Sequence, residues 1–392
     1  MKDFMHNLGL LRRMNWVMLA AIIGLIVIGV FFIYSATVMR DDSTKDLYAK
    51  QIQWAVAGLL CYLGTAMIDY RRLRDLSWGG YLMAVILLVA VLFFGTRIYG
   101  AKRWLMFLGV GVQPSELAKL AVIILGACLL SPAAEKFDAR PPIWKLFLLM
   151  GVPMLLVMKE PDLGSALVFV PLVMAMLFTS GAPAKPLVRL MVGGGLAVML
   201  VLAAVALPGW LGMTPEHQDK FFRTIHLSDY QRDRIEVFLH PGKDPMGTGW
   251  NMRQSEIAVG SGGLTGKGFL KGSQNILGFL PRTVAPTDFI FSVIAEEVGF
   301  VGVLVVLLLY GTVVVCGMVA AMVARDKMGR VLCVGIVTMV FTHAFVNIGM
   351  TIGVLPVVGI PLPLVSYGGT FMVITLFALG LIQSVYVRRP GL

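Results

Sequence analysis

The chain has 392 residues, 58% of them hydrophobic and only 14% charged, with a formal charge of +11. Soluble domains carry roughly 25% charged residues, so soluble, fibrous and disordered classes are excluded and a polytopic membrane protein is left. The 33 lysines and arginines cluster at the ends of apolar runs, which points to membrane lipids and not to nucleic acid as their partner.

The first apolar run, 16–37, follows Arg12 and Arg13 and is too long for the core of a cleaved leader, so it is expected to stay as an anchor. Runs long enough to cross a hydrocarbon core of roughly 30 Å recur near 52–68, 77–96, 114–131, 143–158, 163–180, 187–207, 298–323, 329–349 and 363–386. The fold class expected is therefore all-α, with about ten transmembrane helices in a single domain, 1–392. Arg71, Arg72, Arg74, Arg325, Lys327, Arg388 and Arg389 fall on the same side as Arg12, and fewer cations fall on the other. Both termini are expected in the cytoplasm. Cys61, Cys128, Cys316 and Cys333 lie inside apolar runs without metal-ligand spacing and read as small core residues.

Ionisable residues at membrane depth have to offset their desolvation, so they are the first candidates for function. Before the fourth span comes Gln113-Pro114-Ser115-Glu116-Leu117-Ala118-Lys119. Pro114 suits a first helical turn, and Glu116 and Lys119, three apart, share a face and can pair. A structural ion pair and a functional one fit equally well. Lys159-Glu160-Pro161-Asp162-Leu163-Gly164 is a tight turn that holds carboxylates at the outer membrane edge, or is simply solvated.

The long connection 208–286 is expected outside the membrane. Its first half, 215–240, interleaves aromatic and charged residues as a surface-lying helix would. Its second half is glycine-rich, with Arg253 and Lys267 among the glycines, so backbone amides beside cations could cradle phosphate. No Walker pattern is present, and a mobile surface loop is the other reading.

Where this loop returns, Thr287-Asp288-Phe289 opens an apolar stretch too long for one untilted span. A short helical or re-entrant piece carrying Asp288 is expected ahead of the span, with capping as the plainer role for that aspartate. Glu296 and Glu297, inside the apolar run, must face protein or water. His343 reads first as a satisfied core histidine. Between it and the tenth span, Gly353 to Gly369 holds three prolines and four glycines. Such a non-helical passage is tolerable at membrane depth only if buried or lining a cavity, with Ser366 and Tyr367 pointing inward.

Gly100-Ala101-Lys102-Arg103-Trp104-Leu105, Gln113 to Lys119, Pro161 to Gly164, Gln254 to Gly268, Thr287 to Phe291 and Pro361 to Gly369 resemble, in order and spacing, the signature segments of the SEDS family (shape, elongation, division and sporulation). The Gly353 to Gly369 string is nearer the family's elongation member than its division member. The resemblance implies ten helices, a large outer loop after the seventh, and peptidoglycan glycosyltransferase activity on lipid II, with undecaprenyl pyrophosphate leaving. It makes Asp288 the essential acidic residue and carries over Lys102, Arg103, Trp104, Glu116, Lys119 and Asp162. It also implies a class B penicillin-binding protein as partner, within the elongation machinery of the bacterial inner membrane. One departure is Pro281 to Pro286, where many members have Glu and His before Thr-Asp-Phe.

On that reading, Asp288 is the general base for inverting transfer. Lys102, Arg103 and Lys119 receive the pyrophosphate, backed by Arg253 and Lys267, while Glu116 and Asp162 position Lys119 or hold a metal. Ser366 lines the substrate site, and Trp104 packs on sugar or polyprenyl chain or anchors at the interface. A divalent cation, Mg or Mn, could share the charge. A lipid II flippase and a non-catalytic scaffold for cell-wall synthases are the alternatives.

Overall fold

The structure, a computed structural model, describes residues 11–38, 46–98, 101–107, 109–135, 143–160, 162–210, 236–238, 247–280 and 284–390. Among them, ten long helices lie where the ten spans were expected. They are α1 (Trp16–Val38), α2 (Leu47–Met67), α3 (Leu73–Phe94), α4 (Pro114–Glu135), α5 (Ile143–Lys159), α6 (Leu163–Thr179) and α7 (Ala184–Trp210), followed by α10 (Ile290–Met322), α11 (Lys327–Thr351) and α12 (Gly369–Val387). Seven candidate spans in this set are long and apolar enough to cross a membrane, and Leu163–Thr179 is a shorter apolar helix. The chain is a multi-pass membrane protein.

Helix starts are set locally. Pro114 opens α4, where a missing N–H costs nothing. Asp162 caps α6 by accepting from Ser165 N at 3.1 Å, and Asp326 caps α11 by accepting from Gly329 N at 2.8 Å. The helices α4 and α11 are buried around most of their circumference, whereas α7 is exposed along nearly all of its length. Between α2 and α12 the contact depends on small residues, since a Cβ on Gly380 would stand 2.7 Å from the carbonyl oxygen of Tyr62.

Two elements depart from the sequence reading. Residues 96–112 form a three-stranded antiparallel sheet, β1 (Thr96–Ile98), β2 (Ala101–Phe107) and β3 (Val110–Val112). Arg97, Lys102 and Arg103 break the apolar run there, which leaves a β-branched and aromatic segment too short to span and suited to a hairpin. Gly109, at φ 83°, turns the chain between β2 and β3. In the glycine-rich half of the long connection, 248–261 is a helix, α8 (Thr248–Ser261), followed by one turn, α9 (Ser273–Ile276). Met252, Ser255 and Ala258 are its buried face. The expected surface helix at 215–240 lies outside the described residues, apart from 236–238.

The expected break before the eighth span falls at Gly299, whose φ of 63° and ψ of −164° interrupt α10. Asp288 sits in the turn ahead of that helix and not on it. The break strands backbone carbonyls at membrane depth, where an unmet polar group is costly. The glycine-rich turn satisfies them: Lys267 N donates to Glu296 O at 3.0 Å and Gly268 N to Glu297 O at 2.9 Å. Phe300 N and Val301 N donate back to Gly263 O and Leu264 O. The amides of Lys267 and Gly268 thus serve the kink and are not free to cradle phosphate. A Cβ on Gly299 would stand 2.3 Å from Gly266 N.

Candidate active site

Asp288 is half-buried at the end of the turn 284–289. Three consecutive carbonyls hold this backbone. Pro286 O accepts from Tyr367 N at 2.9 Å, Thr287 O accepts from Ser366 Oγ, and Asp288 O accepts from Asn347 Nδ2 at 2.8 Å. Ser366 Oγ also accepts from Leu362 N at 2.8 Å, and Asn347 Nδ2 donates to Ile360 O at 2.7 Å. The broken passage 353–369 and the C-terminal end of α11 thus form one clamp around the aspartate. Gln51 of α2 grips it from behind, donating to Ser366 O at 3.1 Å and accepting from Gly368 N at 3.3 Å. Within the clamp Leu364 takes φ 67°, an uncommon conformation for a branched residue, and Tyr310 of α10 donates to Pro363 O.

One turn deeper on α11, His343 joins a buried charge pair. Lys119 Nζ lies 2.7 Å from Glu116 Oε1 and 2.7 Å from His343 Nε2, while His343 Nδ1 lies 2.7 Å from Met339 O. The ring must accept from the ammonium at Nε2 and donate to the carbonyl at Nδ1, which is one neutral tautomer. Lys119 is fully buried, so its charge acts from behind the site. The plain reading of His343, a satisfied core histidine, agrees with these bonds.

A third group brackets Asp162. Its carboxylate accepts from Gln113 Nε2 at 2.9 Å and from Ser165 N at 3.1 Å, and lies 3.6 Å from Arg103 Nη1. Ser115 and Ser165 meet at 3.4 Å between α4 and α6. Gly164 packs on the clamp, where a Cβ would meet Val358 O at 2.9 Å. Strand β2 and the starts of α4 and α6 meet at Asp162, and through Gly164 they pack on the passage 353–369, which with the C-terminal end of α11 holds the Asp288 turn.

A sequence model of the FtsW/RodA/SpoVE family, described as cell cycle protein, matches residues 15–390. The chain belongs to this family. It is 38% identical to the peptidoglycan glycosyltransferase MrdB of Escherichia coli over 94% of both chains. It is 34% identical to a probable peptidoglycan glycosyltransferase FtsW of Geobacter metallireducens over 99% of both. Its fold matches RodA of Thermus thermophilus with a TM-score of 0.68 and 27% identity, over 96% of this chain and 98% of that one. It also matches a chain solved in a study of how a peptidoglycan synthase complex coordinates polymerization and crosslinking, with a TM-score of 0.73 and 29% identity, over 96% and 98%. The SEDS resemblance and its RodA-like character hold.

In this FtsW/RodA/SpoVE member the remaining candidates are dispersed. Lys102 lies on β2 opposite Arg97. Trp104 is half-buried on the same strand, with its ring 3.2 Å from where a Cβ of Gly111 would stand. Arg253 is on the exposed face of α8. Lys267 is drawn into the kink instead, with Nζ 2.6 Å from Glu296 Oε1 and 2.6 Å from Ser273 Oγ. Glu297 is taken up by Ser35 Oγ at 2.5 Å and Leu270 N at 3.1 Å. The sequence reading missed Gln51 and the bracing role of Asn347, since amides on apolar helices carry no motif.

No group of three or more His, Cys, Asp or Glu side chains among the described residues is arranged to hold a metal. Glu116 and Asp162 are already met by Lys119, Gln113 and Arg103.

Proposed function

We propose that this chain is a peptidoglycan glycosyltransferase that polymerises lipid II during cell elongation. The 4-hydroxyl of an acceptor GlcNAc attacks the anomeric carbon of a donor MurNAc. The new glycosidic bond forms as the bond to undecaprenyl pyrophosphate breaks, and the configuration inverts. A sugar hydroxyl is a poor nucleophile at neutral pH, so a positioned carboxylate takes its proton. Asp288 is that base. The observation that carries this reading is the clamp: a carboxylate-bearing turn at the outer membrane edge, with three successive carbonyls fixed by Tyr367, Ser366 and Asn347. A base gains from such preorganisation because its geometry is fixed before the transition state.

Arg103 and Lys119 supply the positive field for the leaving pyrophosphate, with Lys102 and Arg253 on the approach. Glu116 orients Lys119, and Asp162 orients Arg103. The exposed apolar helix faces take the polyprenyl chain. A class B penicillin-binding protein cross-links the glycan beside it, and both termini face the cytoplasm. Adding or chelating Mg or Mn tests whether a divalent ion joins the protein cations.

The deciding experiment gives fluorescent lipid II to the purified protein and to Asp288→Ala. Polymer from the wild type alone is expected. Polymer from both, or from neither while labelled lipid flips across liposomes, overturns the mechanism and favours a scaffold or a flippase respectively.

A further inference from the structure

Between α3 and α4 runs an apolar groove of about 290 Å³ that the reaction above does not use. Ser77 and Ala84 are buried at its base, and Leu76 and Met83 stand exposed along its rim. Ser77 is the one polar side chain in the lining, and its hydroxyl is spent on Arg74 O at 2.7 Å. At Gly80 the space is open, since an added Cβ would meet nothing within 4 Å. Along α3 the lining runs from Leu73 to Leu87, roughly 21 Å at 1.5 Å per residue. That exceeds the ~15 Å half-thickness of a hydrocarbon core, so an acyl chain of one leaflet fits along it.

The charges at one end decide the class of occupant. Arg71 is taken up by Asp326 at 2.9 Å. Arg72 and Arg74, on either side of Leu73, are exposed and make no ion pair among the described residues. Arg74 lies at the seam itself, because its charge and that of Asp75 reach Cys128 of α4. Asp75 offsets one of the two arginines at most. Trp78, one turn further on, is 54% exposed, as an anchor at headgroup level is. Two guanidinium groups at the mouth of an apolar groove suit a phosphate that carries an acyl tail. They stand at the wrong end for the polyprenyl substrate. The helices α3 and α11 begin together, with Tyr70 and Arg71 on Asp326. The Asp288 turn hangs on Asn347, 20 residues after Lys327 on α11 and so roughly 30 Å away. A polyprenyl tail descending from Asp288 brings nothing anionic to Arg72.

We propose that the α3–α4 groove is a site for an anionic diacyl phospholipid, with one acyl chain along Gly80 and Ala84 and the phosphate on Arg72 and Arg74. A zwitterionic lipid brings its own ammonium and gains less from the arginines. The bound chain packs the open side of the α3–α4 seam, so occupancy stabilises the fold.

The test adds dioleoyl phosphatidylglycerol or dioleoyl phosphatidylcholine to the full chain in detergent. Bound lipid is counted by native mass spectrometry, with melting temperature read alongside. One variant is Gly80→Phe, which fills the groove where a side chain has room. The other is the double change Arg72→Gln with Arg74→Gln. Wild type should hold the anionic lipid about 10-fold more tightly than the zwitterionic one and melt higher with it. The arginine double variant should hold the two lipids equally, and Gly80→Phe should lose both the binding and the gain in melting temperature. Equal binding of the two lipids by wild type, or anionic lipid kept by Gly80→Phe as by wild type, would overturn the site. If Gly80→Phe does not fold, the arginine variant decides: selectivity that survives it sinks the proposal. Displacement of the phospholipid by undecaprenyl pyrophosphate, indifferent to Arg72 and Arg74, would give the groove to the polyprenyl chain instead. A change of oligomeric state in Gly80→Phe, without a change in lipid binding, would give it to a second copy of the chain.

Discussion

At the end of the bundle where α3 and α11 begin, the paired charges are partly exposed. Arg71 Nε lies 2.9 Å from Asp326 Oδ2, Tyr70 Oη donates to the same oxygen at 2.7 Å, and Arg388 Nη1 caps Ala66 O at 3.1 Å. At the other end, Glu116, Lys119, Glu160 and Asp162 are buried, and Arg103 Nε, Glu160 and Asn347 Oδ1 keep atoms without a hydrogen bond among the described residues. The first arrangement ties helix ends together in a screened setting. The second holds charge where it costs stability, which proteins do chiefly at working sites.

That contrast breaks most visibly at Asp288. Asp288→Asn should lower polymerisation about 10²- to 10⁴-fold, the range for losing a general base, with little change in melting temperature. Next comes the buried pair: Lys119→Met leaves Glu116 without its cation and should destabilise by about 3–5 kcal/mol, read as a large fall in thermal stability. The double change with Glu116→Gln should recover much of it. If the double variant is as unstable as the single, the pair is not the unit described. Asn347→Ala removes two hydrogen bonds from the clamp and should cost about 1–3 kcal/mol, with a larger loss in turnover than in substrate affinity.

Glu160 gives a signed pH effect on stability. Its folded carboxyl, raised from 4.5 to about 9, holds a proton that the unfolded chain has already lost, so stability is full below the lower value. It declines as pH rises through the higher one. Glu160→Gln should flatten that decline in melts from pH 5 to 10. An unchanged slope would place the titration elsewhere. Smallest is the Asp326 end of the bundle, where Asp326→Asn should cost less than about 1 kcal/mol and leave polymerisation unaltered. A severe loss there would erase the distinction between the two ends.

Hydropathy made the long helices legible because most are largely apolar runs, and Asp288, Glu116 and Lys119 stood out because charge is scarce in such a chain. What pairing creates was not legible. The strands of 96–112 contain three cations that mask their alternation, and α8 hides among glycines. Lys267 read as a free cation because the kink it serves exists only once Gly299 has broken α10. The orphan atoms of Arg103 and Glu160 are visible only when Asp162 is seen to be saturated by others.

The bond from Ser35 Oγ to Glu297 Oε1 joins residues 262 apart in sequence. Contacts of such separation form late, since a long loop must close before they return any free energy. The first helix made therefore waits, with its C-terminal end unmatched, until α10 and its glycine turn arrive. During synthesis this half of the molecule stays incomplete until most of the chain is in the membrane. A helix-by-helix truncation series, probed by protease protection of the 262–280 segment, should show protection arriving in one step with α10.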